Sequence, residues 1–389
     1  MNSRTRKLAT LAIVCWFVAI LLAIPGTALA DNLADAIAAT PRGEGPGHLN
    51  PEAEPGFLGI PGAPDPSLVV GFLWAIWVGW IFSTVGAFGG IMAGVGHITV
   101  FGLADYGKAF KKTSPALNSF IADSIRVSNQ WMVGLSAAVS STNYYRMGRL
   151  VLPLGICLAL GSILGSYLVP ILTAGKISLK EYLGFFGVIV FVIGGFLFYE
   201  TTPRGQSRKK DAKAAAQRFE ETIRMKKEGA EIDEEEQGVK VVEWGIKMIR
   251  FTFYGVEFSF RPIIPIIGGF FIAGLASFLG IGGGFLFVPF LTSVAGLPMF
   301  LVAGTSALTV LVGMVVSIFT YMVVKGVAIY WPLIGVELIG IFVGSMIGPR
   351  TSKYIPDIWL KRLFVVLALY VGLRYTTKGF LGYSIVPPF

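Results

Sequence analysis

The chain has 389 residues, of which 54% are hydrophobic and only 14% are charged, and its mean hydropathy is +0.70. Soluble domains carry about 25% charged residues, so this composition excludes an ordinary soluble protein and predicts an all-α polytopic membrane protein. The formal net charge of +9 does not indicate a nucleic-acid partner. Much of the basic excess lies in a linker or beside apolar segments, where lysine and arginine set membrane topology.

Residue types that carry catalysis or bind metals are scarce. The chain has two cysteines, Cys15 and Cys157, and two histidines, His48 and His97, which form no cluster along the sequence. It contains neither a GxSxG nucleophile motif nor a phosphate-binding P-loop. We therefore predict that the protein is not an enzyme and uses no metal and no cofactor.

The N-terminus has the layout of a secretory signal peptide. Residues 1–30 begin with basic side chains, continue with an apolar run from Leu8 to Ile24 and end in Ala28-Leu29-Ala30, the small-residue pattern of a cleavage site. An uncleaved signal anchor is the alternative, because about 17 apolar residues are the minimum for a spanning helix. In either case residues 31–67, rich in proline and glycine, should form an irregular periplasmic segment of a multi-pass protein in a bacterial inner membrane.

Apolar runs of membrane-helix type fall into two groups. Each group contains about four runs long enough to cross a bilayer and one short run beside glycines, which predicts a broken or re-entrant segment. The first group, residues 68–200, comprises 68–88, 91–103, 118–142, 150–172 and 181–200. The second group, residues 263–376, comprises 263–280, 284–298, 300–323, 328–348 and 358–375, and a tail follows at 377–389.

The two groups also repeat each other in sequence, which is typical of transporters built from tandem repeats. A spacing of 179 positions relates Pro153, Gly161 and Gly165 to Pro332, Gly340 and Gly344. A spacing of 188 relates Gly94, Gly96 and Val100 to Gly282, Gly284 and Val288, and a spacing of 187 relates Asn118-Ser119 to Thr305-Ser306. The fall to 179 predicts about eight extra residues in the first half, between its Asn118 helix and its Pro153 helix.

Topology favours repeats of opposite orientation. If each half crosses the membrane an odd number of times, the charged stretch from Arg204 to Arg250 becomes cytoplasmic, as the positive-inside rule prefers. The same count leaves Lys108, Lys111 and Lys112 outside, which is an objection to it. If the glycine segments merely dip in and return, each half crosses four times and the repeats are parallel. We expect inverted repeats.

Residues 201–262 form a charged cytoplasmic linker between the two halves. Phe219, Ile223 and Met225 recur at helical spacing among basic and acidic residues, which predicts a solvated helix. The alternative is an amphipathic helix held against anionic lipid by its basic face. Residues 250–260 alternate aromatic and polar side chains around Gly255, which predicts a small β-hairpin.

The run GIGGGFLFVP, from Gly280 to Pro289, interrupts the second group. Glycine in a helix interior costs roughly 1 kcal/mol relative to alanine, and a bilayer core has no water to satisfy freed backbone groups. The run therefore predicts a helix that is broken at membrane depth and shielded by protein or a wet cavity. Backbone N–H groups at such a break can bind an anion.

These residues resemble the TauE/SafE family of sulfite exporters, also called the toluene-sulfonate uptake permease family. The resemblance rests on Gly280 to Gly284, Val288-Pro289 and Gly304-Thr305-Ser306, and it covers roughly residues 70–200 and 263–376. The first half departs from the pattern at Gly94 to His97 and at Phe101. The resemblance implies export or uptake of a small sulfur-containing anion such as sulfite or an organosulfonate.

Such an anion needs N–H and O–H donors, which defines the candidate substrate-binding residues. Backbone donors at the glycine turns and side chains beside them could supply these groups: Gly94, Gly96, His97, Asn118, Ser119, Arg126, Gly282, Gly283, Gly284, Thr305 and Ser306. The alternative for the glycines is close helix packing, and the alternative for the hydroxyls is a bond to the backbone of their own helix.

Three charged or titratable residues have sharper candidate roles. Arg126 could bind an oxyanion through its guanidinium fork, or form a structural ion pair with Asp123 three residues earlier. Glu337, in the middle of an apolar helix, is the candidate for coupling to a proton or sodium ion, with Asp123 as a second coupling candidate. His97 could titrate near neutral pH, although a lone histidine is more often a satisfied hydrogen-bond donor.

The sequence therefore predicts a secondary transporter that moves a small anion across the lipid bilayer in an ion gradient. An anion channel or a non-transporting membrane partner subunit is the alternative.

Overall fold

The computed structural model describes residues 27–86, 89–173, 179–207, 210–228, 237–279 and 284–386. Residues 1–26 of the expected signal peptide or anchor, and Gly282 and Gly283 of the GIGGG run, lie outside these ranges. The described chain is mostly helical: α1 (Thr27–Ala38), α2 (Leu68–Val85), α3 (Gly89–Val95), α4 (Leu103–Ala109), α5 (Pro115–Arg146), α6 (Leu152–Thr173), α7 (Leu179–Thr201), α8 (Pro203–Ser207), α9 (Lys210–Lys227), α10 (Ile263–Leu279), α11 (Met299–Phe319), α12 (Trp331–Ser352) and α13 (Asp357–Phe380).

Several helices have the length and composition of membrane spans. Within the described ranges, Leu68–Val85, Met299–Val324 and Trp331–Ser352 are long and apolar enough to cross a bilayer, and four shorter apolar helices accompany them. Wide π turns extend α3 over Gly96–Val100 and α11 over Thr320–Val324, and a third occupies Phe290–Val294. Such turns leave the regular helical hydrogen-bond pattern and are frequent at functional sites. The protein is a helical membrane protein.

Glycines allow α12 to pack directly against the backbone of α2. A Cβ atom on Gly344 would lie 2.1 Å from the carbonyl oxygen of Ile76, and one on Gly340 would lie 2.5 Å from that of Phe72. In a membrane, where apolar side chains gain nothing by leaving lipid, such small residues let helices approach closely. The pair Gly340 and Gly344 is therefore a packing motif.

The same contact joins α6 to α10. A Cβ atom on Gly161 would lie 1.9 Å from the carbonyl oxygen of Ile266, and one on Gly165 would lie 2.1 Å from that of Phe270. The first helix of each half therefore packs along a later helix of the other half, through glycines at the same relative positions.

Structural landmarks of the two halves define a spacing that differs from the one expected for the glycine segments. Gly102 and Gly296 both have φ near +67°, and the π turns at Gly96–Val100 and Phe290–Val294 lie at the same spacing of 194. At this spacing residues 86–90, GAFGG, correspond to residues 280–284, GIGGG. The expected alignment of Gly94 and Gly96 with Gly282 and Gly284 is therefore wrong. It failed because a few isolated glycines fix a register poorly.

The first half is longer than the second in two places, one of which the sequence predicted. The spacing falls from 194 at Gly102 to 184 where α5 and α11 begin, and to 178 at Gly148 and Gly326, both with φ near +65°. Ten extra residues thus lie in α4 and its loops, before Asn118, and six lie between the start of α5 and Gly148, where the sequence predicted about eight.

Residues 27–67 cover one end of the helix bundle, which we call the cap end. The hydroxyl of Thr40 donates to Ser114 at the start of α5 at 2.7 Å, and the ring of Phe57 packs 5.7 Å from that of Tyr330. Part of this segment, expected to be irregular, is helical in α1. The helix forms because an alanine-rich stretch buries Ala36 against the bundle.

The linker covers the opposite end, which we call the linker end. Helix α9 buries Ala212, Ala215 and Phe219, and the ring of Phe219 lies 4.4 Å from that of Phe300 at the start of α11. The apolar face of α9 thus packs on protein. This finding contradicts the alternative in which the helix lies on lipid.

A three-stranded antiparallel sheet follows α9, in the order β1 (Val239–Trp244), β2 (Ile249–Phe253) and β3 (Val256–Phe260). Tyr254 and Gly255 connect β2 to β3 with φ of 49° and 72°, the left-handed conformation that a two-residue hairpin turn requires. The sequence prediction covered this hairpin but not β1. The sheet is tied to the bundle where the N–H of Val239 donates to the carbonyl of Gly148 at 2.8 Å.

Candidate functional site

His97 and Glu337 form a buried pair between the two halves of the chain. His97 lies in the π turn after α3 and Glu337 in the middle of α12, and both side chains are almost fully buried. The Nε2 atom of His97 is 3.0 Å from Oε2 of Glu337, and its Nδ1 atom is 2.5 Å from Oδ1 of Asn129 on α5. Three separate elements therefore build this site.

The geometry allows the pair to hold one proton in two ways. The amide oxygen of Asn129 can only accept, so Nδ1 of His97 carries a hydrogen. Nε2 then either donates to the Glu337 carboxylate as part of an imidazolium, or accepts a proton from the neutral acid. Loss of that proton sets a nitrogen lone pair against a carboxylate, which is unfavourable in a buried site. The pair is thus a chemically competent proton-binding site.

Small residues create the space for this pair. A Cβ atom on Gly71 of α2 would lie 3.5 Å from Cγ of Glu337 and 2.9 Å from Cδ1 of Leu333, so any larger residue would press on α12. A Cβ atom on Gly96 would lie 2.4 Å from Nε1 of Trp74. Gly96 therefore serves close packing beside the site, which is the alternative that the sequence left open.

Several buried polar atoms around α5 have no hydrogen-bond partner among the described residues. One is the second carboxylate oxygen, Oε1 of Glu337, and the others belong to α5: the hydroxyls of Ser124, Ser128 and Ser140 and the amide oxygen of Gln130. Buried polar atoms are nearly always paired with protein, water or ligand. This concentration on one helix indicates a hydrated or ligand-accessible region along α5.

The described parts of the two glycine segments, residues 86–102 and residues 280–296, meet inside the bundle at Gly86 and Val288. Gly86 ends α2 with φ of +84°, and a Cβ atom there would lie 2.9 Å from Cγ2 of Val288 and 3.2 Å from Oγ of Ser306. Among the described residues, the hydroxyl of Ser306 donates to the carbonyl of Ala303 in its own helix, at 3.3 Å. This contact brings the end of α2, a residue of the second glycine segment and a hydroxyl together.

Two further glycines that were candidates for anion binding, Gly94 and Gly284, lie at different places in their helices. Gly94 lies inside α3, whose N-terminus is at Gly89, so it is not the helix start that the anion-binding prediction required. Gly284 opens a short helical turn, Gly284–Leu286.

Thr305 is buried beside Ser306, but its hydroxyl accepts the N–H of Val151 at 3.1 Å. Asn118 and Ser119, which the sequence paired with Thr305 and Ser306, lie instead in the first turns of α5 at the cap end, where Ser119 is exposed. The two doublets therefore lie at different ends of the bundle and do not form one site.

Arg126 and Asp123 form an ion pair near the cap end. The Nη1 atom of Arg126 is 2.5 Å from Oδ1 of Asp123, and both side chains are about one-fifth exposed. The same nitrogen donates to the hydroxyl of Tyr321 at 3.0 Å. The structure thus gives Arg126 the contacts of the structural alternative, and its charge is balanced where it stands.

A second buried cation, Arg149, lies at the linker end and was not among the candidate site residues from the sequence. Its side chain is 2% exposed, its Nε atom donates to the carbonyl of Phe300 at 3.2 Å, and its guanidinium lies 4.7 Å from the ring of Tyr144. Guanidinium nitrogens also contact Ser352 at 3.4 Å. Arg149 therefore joins the ends of α5, α11 and α12.

The described residues contain no group of three or more His, Cys, Asp or Glu side chains close enough to hold a metal ion. Asn129 is the member of the site that the sequence did not assign. No signal in the sequence pairs it with His97.

Comparisons with known proteins agree with this architecture. The sequence profile of the family described as Sulfite exporter TauE/SafE matches residues 71–375. A probable membrane transporter protein of Methanocaldococcus jannaschii is 33% identical over 122 residues, which cover 29% of this chain and 45% of that protein. No solved structure matches the chain. Because the profile spans most of the chain, including both glycine segments and the His97–Glu337 pair, the protein belongs to the TauE/SafE sulfite exporter family of membrane transporters.

Proposed function

We propose that this chain is a proton-coupled secondary transporter of a small sulfur-containing anion, sulfite or an organosulfonate. The observation that carries the proposal is the buried His97–Glu337 pair, which joins a glycine segment of one half to a helix of the other. A proton that enters or leaves this pair changes the charge balance at the contact between the halves. Such a contact is where alternating access requires movement.

The anion binds where the glycine segments meet, near Gly86, Val288 and Ser306. Support comes from the close approach of these residues and from the Ser306 hydroxyl, whose bond to Ala303 among the described residues is long, at 3.3 Å, and lies within its own helix. Gly282, Gly283 and Gly284 supply backbone donors and Thr305 a second hydroxyl in this proposal. The hydroxyls of Ser124 and Ser128 have no hydrogen-bond partner among the described residues, and in this proposal they line the route of the anion from the cap end.

The two halves form inverted repeats. The first half enters its glycine segment from the cap end, since Gly71 lies near Leu333 and Phe101, and Phe57 packs on Tyr330. The second half enters from the linker end, because β3 leads directly into α10. In this arrangement residues 31–67 and Lys108 face the periplasm and residues 201–262 the cytoplasm of a bacterial inner membrane, as the positive-inside rule prefers for the linker.

The proposal is tested with purified full-length protein in proteoliposomes. Radiolabelled sulfite should accumulate under an imposed proton gradient, and Glu337→Gln and His97→Gln should abolish accumulation. Glu228→Gln, on an exposed side chain of the linker, should transport as the parent does. Absence of uptake of every sulfur oxyanion under both proton and sodium gradients would refute the proposal. Passive flux that no gradient drives would instead support an anion channel.

A further inference from the structure

We propose that the tip of the β1–β2 hairpin is a membrane-interface anchor that inserts into the headgroup region of a bilayer carrying anionic lipid. The tip comprises residues 241–247, and this proposal is independent of the transported substrate. The sequence offered α9 as a helix bound to lipid, but the apolar face of α9 packs on protein. The hairpin tip is proposed as the lipid contact instead.

The apolar side chains of the tip are largely exposed in the described part of the chain. Ile246 is 98% exposed, Val242 65% and Trp244 59%. The central strand β2 behaves differently, because its apolar residues Ile249 and Phe251 are buried. Isolated exposed apolar residues are ordinary, but a contiguous group of them at the end of a hairpin indicates an interaction site.

The register of the sheet places this tip beside a membrane helix. Trp244 pairs with Ile249 across the hairpin, and Ile249 pairs with Phe260 on the other side. Phe260 is three residues before Ile263, the first residue of α10. Tip and helix start therefore lie at the same end of the sheet.

The start of α10 marks the position of the lipid. Its side chains Ile263, Ile267 and Phe271 are 57%, 50% and 67% exposed, which in an apolar membrane helix is the pattern of a lipid-facing surface. Only two residues, Arg261 and Pro262, separate β3 from that surface. The sheet therefore stays close to the membrane interface. The hairpin tip is thus held at headgroup depth.

The chemistry of the tip fits this depth. Tryptophan is enriched at membrane interfaces because its ring is apolar and its N–H is polar. Lys247 in the turn and Arg261 beside the helix are exposed cations, while Glu243 is neutralised by Arg250 at 3.3 Å. Basic side chains next to apolar ones favour anionic headgroups.

The test places an environment-sensitive fluorophore on the tip of the full-length protein. Ile246→Cys is labelled in a Cys15→Ser, Cys157→Ser background and reconstituted in nanodiscs with and without phosphatidylglycerol. Lipids that carry a nitroxide near the headgroup should quench this probe several-fold more than a probe at Glu228→Cys, and more strongly when phosphatidylglycerol is present. Adding Trp244→Glu and Lys247→Glu should reduce the quenching to the level of the control site.

Equal quenching at the two sites would overturn the proposal. Shielding of the Ile246 probe in detergent that increases with protein concentration would also overturn it, because a second copy of the chain would then cover the tip. Proper folding of each labelled variant is verified by an unchanged thermal transition, so a loss of quenching reports the interface contact alone.

Discussion

At the scale of single residues, the site depends on the side-chain amide of Asn129, which determines which ring nitrogen of His97 carries a hydrogen. Asn129 accepts from Nδ1 of His97, and this leaves Nε2 directed at Oε2 of Glu337. A carboxylate at position 129 would instead favour the imidazolium, since an opposite charge at hydrogen-bond distance stabilises the protonated form.

We expect Asn129→Asp to move the pH at which transport is half-maximal upward by about 1 unit or more. The measurement is the pH profile of anion uptake in proteoliposomes. Asn143→Asp is the control, because Asn143 is buried on the same helix and contacts Met346 rather than His97. A profile that shifts equally in both variants would contradict the role of Asn129.

At the linker end, burial raises the pKa of the Glu220 carboxyl above its ordinary value of 4.5, and the nearby charge of Asp357 raises it further, although an N–H from Asp357 opposes the shift. The folded protein therefore binds this proton more tightly than the unfolded chain. The contribution of Glu220 favours folding at acidic pH and is lost as the pH rises through the folded-state pKa.

Glu220→Gln should accordingly raise the thermal midpoint at pH 8 by about 1 °C, a small effect because the group is partly solvated. The gain should vanish below the ordinary carboxyl pKa. Thermal scans at matched rates measure both values, with the exposed neighbour Glu221→Gln as control. A gain that persists at low pH would argue against the titration of Glu220 as its cause.

At the scale of elements, contacts between helix backbones hold the two halves together. The predicted bounds of the membrane helices agree with the structure within a few residues, because long apolar runs ended by glycine or proline mark helix limits clearly. The pairing of α2 with α12, and of α6 with α10, did not follow from those runs. Periodicity identifies a helix, but not the partner that it contacts.

We expect Gly344→Ala to destabilise the protein by about 1–3 kcal/mol, the usual cost of overpacking, since its Cβ atom would lie 2.1 Å from a backbone oxygen of α2. Gly335→Ala on the same helix is the matched control, because no atom lies within 4 Å of its added Cβ. Thermal stability in a fixed detergent compares the two. Equal midpoints would show that α12 can move away from α2 without cost.

At the scale of the whole molecule, the cap and the linker cover opposite ends of one bundle. Lys108 lies in α4 at the cap end and is exposed, whereas Glu228 and Lys353 lie at the linker end. The lysine cluster that opposed the predicted topology is therefore part of the cap region, together with residues 27–67.

This arrangement predicts the sidedness of chemical labelling. In a Cys15→Ser, Cys157→Ser background, an impermeant maleimide should label Lys108→Cys in intact cells. The same reagent should label Glu228→Cys and Lys353→Cys only after the membrane is opened. Labelling of Lys108→Cys and Lys353→Cys from the same side would exclude inverted repeats.

The sequence by itself determined that this is a membrane protein of the TauE/SafE family with two groups of helices and a charged linker. Composition, apolar run length and the glycine motif are local properties of the sequence, and each can be recognised without knowledge of tertiary contacts. Tertiary structure decided which residues form the site. His97, Asn129 and Glu337 are separated by up to 240 positions, and only the packing of α3 with its π turn, α5 and α12 brings them together. The correct register of the first glycine segment likewise required the positions of its helix ends.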